Sequence, residues 1–131
     1  MNTSSLTLAI LVAGGAAACS PWHYSEPNAP SGPSPTGQSY KDAVVLTCDV
    51  DHLAEVDPME PDELADVKRL AFLEQHVDNG DGIYLRTMLS VRFGDARACL
   101  LRDAQASVGL DRCALAEHAE KAAPSEESTG Q

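Results

Sequence analysis

Residues 6–19 read LTLAILVAGGAAAC, and this stretch limits what the rest of the chain can do. Apolar residues dominate from Leu6 to Ala18. A helix that crosses a bilayer needs about 20 such residues, so the run is too short to span. It has the length of the apolar region of an export signal. Ala16, Ala17 and Ala18 place small residues where a signal peptidase reads them, and the cut falls before Cys19. Residues 1–18 are then a signal peptide, and the fold is built from residue 19 onward. Ordinary secretion uses the same cut, and a buried N-terminal helix of a cytosolic protein is the alternative to export.

Residues 20–39, SPWHYSEPNAPSGPSPTGQS, hold five of the eight prolines among Ser, Gly and Asn, without apolar periodicity. They read as a linker, with a reach of roughly 25–60 Å. The tether is placed at 19–38, and Trp22 and Tyr24 suit a membrane–water interface. Acids outnumber bases 20 to 9 and the formal net charge is −11, all of it after residue 18. Nucleic-acid binding neutralises phosphates with Lys and Arg, so this composition argues against it. It also argues against adsorption to anionic lipid.

The ordered domain is expected at 39–118, as an all-α bundle of four to five short helices. Ser39-x-x-Asp42 resembles a capping box. Val45, Leu46, Val50, Leu53 and Val56 come next at helical spacing, although the run AVVLTCDV also fits a strand. Asp57-Pro58 ends this element. A second helix starts near Pro61, with Leu64, Val67, Leu70, Ala71 and Val77 inward, and Asn79–Gly82 stops it. A third, about 83–91, buries Ile83, Leu85, Met88 and Leu89. Asp95 caps a fourth that runs to about Val108, where Gly109-Leu110 forms a Schellman-like stop. Asp111 caps a fifth through about His118, and residues 119–131 are expected to be disordered.

A core of about eighty residues with so few aromatics needs a staple. Cys48–Cys113 is the favoured disulfide, because it closes nearly the whole domain. Cys99 lies about 13 Å up the fourth helix from its end, so the return loop can barely bring Cys113 back to it. Cys99 is expected to be a buried free thiol.

The junction AAAC after a short apolar run resembles that of bacterial lipoproteins. The resemblance covers the first nineteen residues and departs from the family at Ala16, where Leu is usual, and in lacking Lys or Arg before the cysteine. It implies that Cys19 carries a thioether-linked diacylglycerol and becomes the first mature residue. Ser20 rather than Asp after the cysteine implies transfer to the outer membrane, facing the periplasm or the cell surface. The domain also loosely resembles small helical lipoproteins of unknown function with a late GL-x-x-C-x-LA segment, here Gly109, Leu110, Cys113, Leu115 and Ala116. That resemblance implies no activity.

Two functional readings remain. The first is a non-catalytic envelope lipoprotein, an interaction or structural accessory, that meets a basic protein through an acidic face. That face is the run Asp49, Asp51, Glu55, Asp57, Glu60, Asp62, Glu63 and Asp66, which contains no Lys or Arg. Its plainer explanation is a solvated helix face with favourable charges at a helix start. The second is a small zinc-binding domain or enzyme built on Cys48, His52, Cys113 and His118, although the spacings match no standard zinc module. On the first reading no cofactor or metal is expected. Asn79–Ile83 lacks the end carboxylates of an EF-hand loop. Oligomeric state is not legible.

Overall fold

The computed structural model describes residues 34–122. The signal peptide, Cys19, the tether up to residue 33 and the tail from residue 123 lie outside the described residues. Within them the architecture is all-α: α1 (Tyr40–Cys48), α2 (Val50–Leu53), α3 (Asp62–His76), α4 (Gly80–Leu89), α5 (Gly94–Val108) and α6 (Ala114–Ala122).

The first helix starts as the capping box predicts. Ser39 Oγ accepts from the Asp42 backbone N–H, and the Asp42 carboxylate accepts from the Ser39 N–H. The strand alternative fails because α1 sits on α4, α5 and α6, which bury one helical face. That face is Ala43, Val44, Thr47 and Cys48. Val45 and Leu53, expected inside, are exposed, and the element breaks at Asp49 into two helices.

The chain enters the domain earlier than Ser39. Gln38 Oε1 accepts from the backbone N–H groups of Asp78 and Asn79, at 2.9 and 3.1 Å. Its Nε2 donates to the His76 carbonyl at 2.8 Å. Ser34 Oγ donates to Asp78. That hydrogen bond, with one from Thr36, holds the Asp78 carboxyl below its ordinary pKa. The last residues of the expected tether therefore dock on the α3–α4 loop and satisfy backbone donors there.

Asn79 starts α4 rather than merely stopping α3. Its side chain accepts from the Gly82 N–H. Gly82 also packs tightly against α1. A Cβ at this position would lie 2.5 Å from Ala43 Cβ and 2.8 Å from Val77 Cγ1. Leu85 and Leu89 then point inward, while Ile83 is exposed.

Phe93, not Asp95, is the N-cap residue of α5, and Gly94 has the positive φ of +54° that the turn requires. Gly109 ends the helix in the left-handed region at φ +70°, and the Leu110 N–H donates to the Gln105 carbonyl. α6 opens at Ala114 behind Cys113 and runs four residues beyond the expected end, because Ala119 is buried against the bundle. Residues 119–122 are thus helix, not disordered tail.

The core comprises Val44, Val50, Leu73, Val77, Leu85, Leu89, Leu101, Leu115 and Ala116 around the Cys48–Cys113 disulfide. Both sulfurs are interior, at 5 and 0 % residue exposure. The bond ties the end of α1 to the start of α6 across a sequence separation of 65. Loop closure of that length contributes about 4 kcal/mol in the chain-entropy model.

This packing makes two outcomes measurable. Cys48→Ser and Cys113→Ser should lower the thermal midpoint of the oxidised protein equally, the double variant should be no worse than either single one, and reductant should lower it at least as far. Gly82→Ala should destabilise by about 1–3 kcal/mol in denaturant titration, since overpacking at Ala43 and Val77 outweighs the helix propensity gained.

Candidate functional site

Arginine is the residue on which the interior is arranged. α3 turns Arg69 inward together with Ala65 and Leu73, and leaves Leu64, Val67 and Ala71 outside, so the expected apolar stripe of this helix is wrong over most of its length. Arg69 is 4 % exposed and Arg97, near the start of α5, 8 %. Burying these charges requires partners. Arg69 donates to both oxygens of Asp51 on α2, one of them at 2.9 Å, and to Asp66 Oδ1 at 2.9 Å. Arg97 grips Asp66 with two hydrogen bonds, 2.7 and 3.1 Å, and donates at 2.8 Å to the carbonyls of Arg92 and Leu89.

Asp66 therefore serves two guanidinium groups. Partial burial raises its pKa, but the hydrogen bonds and charges of Arg97 and Arg69 outweigh this and hold it below the ordinary carboxylate value. Burial lowers the Arg69 pKa, and Asp51 and Asp66 more than restore it.

Beside this cluster lies a groove of about 520 Å³ between α3, the start of α5 and α6. Asp62, Asp66 and Arg69 line one side, Phe93–Arg97 a second, and Leu115, His118, Ala119 and Ala122 a third. The Phe93 ring is largely exposed, with the Arg97 guanidinium carbon 5.1 Å from its centroid. His118 Nε2 lies 3.4 Å from Asp62 Oδ1 at the rim.

The eight acids of the run 49–66 do not act alike. Asp51 and Asp66 bind the buried arginines. Asp49 lies 3.3 Å from His52, Glu60 pairs with Lys68, and Asp57 accepts from the Met59 backbone N–H. Asp62 faces His118 across the groove, and Glu55 and Glu63 are exposed.

The zinc alternative does not assemble. Cys48 and Cys113 are bonded to each other, His52 is an exposed side chain beside Asp49, and His118 belongs to the groove. No group of three or more His, Cys, Asp or Glu side chains among the described residues could hold a metal ion. Cys99 is also not the buried free thiol expected. It is partly exposed and disulfide-bonded, and there is no free cysteine among the described residues.

Sequence reasoning missed Arg69, Arg97, Phe93 and Asp95. The available signal was Asp66-x-x-Arg69, an i, i+3 ion pair inside a helix otherwise read by its apolar residues. No protein-family model matches the chain, and no curated protein or solved structure is similar enough to count as a match.

Replacing Asp66 tests the cluster. Asp66→Asn should cost about 3 kcal/mol by denaturant titration, because Arg97 loses its carboxylate and Arg69 one of two. The pH dependence has a definite sign. A carboxyl with a depressed folded-state pKa contributes stability that is present above the unfolded value, about 3.9, and lost as pH falls through the lower folded value. Stability of the unaltered protein should fall below about pH 4 more steeply than that of Asp66→Asn.

Proposed function

We propose that the chain is exported to the bacterial cell envelope and held at a membrane by acylation of Cys19. Its helical domain then acts as a non-catalytic interaction or structural accessory module. The observation that carries this reading is the Ala16-Ala17-Ala18-Cys19 junction behind a short uncharged apolar run. The buried Cys48–Cys113 disulfide supports export, since such bonds persist in oxidising compartments. No helix among the described residues is long and apolar enough to cross a membrane, which fits attachment through a lipid. The accessory role is supported by the commitment of the two buried arginines and the carboxylates that pair with them. Arg69, Arg97, Asp51 and Asp66 engage one another, which suits them to holding helices together rather than to turning over a substrate. Ser20 favours the outer membrane, facing the periplasm or the cell surface.

One observation favours a second reading, secretion without a lipid. Cys99 is disulfide-bonded. Its partner lies outside the described residues, as Cys19 does. A thioether-linked lipid on Cys19 and a Cys19–Cys99 bond exclude each other.

Mass spectrometry of the natural N-terminus under non-reducing conditions decides. The anchor reading expects a diacylglycerol adduct on a first residue Cys19. A peptide containing Cys19 crosslinked to one containing Cys99 would establish secretion, and an intact Met1 would end both export readings.

A further inference from the structure

The groove beside the arginine cluster takes no part in the anchor or the disulfide. Its polar lining divides into two sets. Arg69 and Arg97 direct their charge to Asp51 and Asp66, so the groove offers little to an anion. Asp62 and Asp95 are different. The Asp62 side chain is 69 % exposed and has only the 3.4 Å contact with His118. Asp95 is exposed and has no ion-pair partner among the described residues. The same lining carries exposed apolar surface: Phe93, 64 % exposed, with Ala96 and Ala122.

We infer that this groove docks a basic segment of a partner protein, with a Lys or Arg stem lying on Phe93, Ala96 and Ala122 and its cation held by Asp62 and Asp95. The inference rests on the accessory-module reading and gives it a surface and a partner chemistry. Charge complementarity selects the occupant. A long cationic side chain matches a lining that combines exposed apolar surface with exposed carboxylates, because the stem covers apolar surface while the head stays solvated. The net charge of −11 repels a second copy of the chain and disfavours nucleic acid.

The test is an NMR titration of the full processed chain with a capped hexapeptide alternating Lys and Leu, and with its Glu–Leu counterpart. Saturable amide shifts centred on Asp62, Phe93, Asp95 and His118 are expected from the Lys–Leu peptide alone, and added salt should weaken them. Asp62→Asn with Asp95→Asn should raise Kd about threefold or more, while the protein stays folded with only a small drop in thermal midpoint from the two lost helix-start charges. Glu55→Gln with Glu74→Gln, neither of which lines the groove, should leave Kd unchanged. Equal binding of both peptides, no saturable shift, or shifts centred on residues 55–60 would overturn the groove assignment. The accessory reading fails separately: if crosslinking in envelope membranes captures a partner whose yield is indifferent to Asp62→Asn with Asp95→Asn, the module has a partner and the groove is wrong. If no partner is captured while the peptide still binds, the groove stands and the accessory role falls.

Discussion

The carboxylate of Asp66, shared between Arg69 and Arg97, is the contact on which the described domain turns. Through it α3 holds the start of α5, and through Arg69 it reaches Asp51 on α2. Arg97 extends the link to the last carbonyl of α4, at Leu89. Four helices thus meet at two buried cations and two partly buried anions. A pair of this kind gains less than its Coulomb energy suggests, because desolvation offsets much of it. Its larger effect is on arrangement. A helix turned by one position would bury a guanidinium without a carboxylate, and that error is costly. In a core with few aromatics, where Leu, Val and Ala interchange readily, such geometric demands select one packing.

The disulfide acts on a different state. Cys48–Cys113 lies across the core from early to late in the chain, and its stabilisation arises mainly by restricting the unfolded ensemble. The ion cluster selects among compact arrangements, while the crosslink disfavours expanded ones. A domain of this size benefits from both, since its apolar burial alone leaves a small margin over conformational entropy.

Fold class, most helix positions and the crosslink are legible in the sequence because they depend on local signals: the Ser39–Asp42 box, Pro61, Asn79 and Gly109, and a loop-length argument for the cysteines. The inward face is not. Hydropathy assigns Leu64 and Val67 to the core, but α3 is rotated so that Arg69 takes the interior position. Hydropathy cannot foresee this, because Arg69 becomes tolerable inside only when Asp51 and Asp66 stand beside it in the fold. The tether boundary fails for a similar reason. Gln38 looks like linker composition, yet it satisfies two backbone N–H groups of a loop some forty residues away.

Folding also changes the meaning of the acidic run. In sequence, residues 49–66 form one block of negative charge. In the fold, α2, the loop 54–61 and the first half of α3 divide it, and the buried arginines take up Asp51 and Asp66 as structural counter-ions. The excess that remains near the cluster falls on Asp62, joined at the groove by Asp95, which lies outside the run. The binding potential of this surface therefore depends on which acids the core has already used. A count of acids along the chain overstates residues 49–60 and overlooks the start of α5, where an exposed aromatic ring and a carboxylate stand side by side.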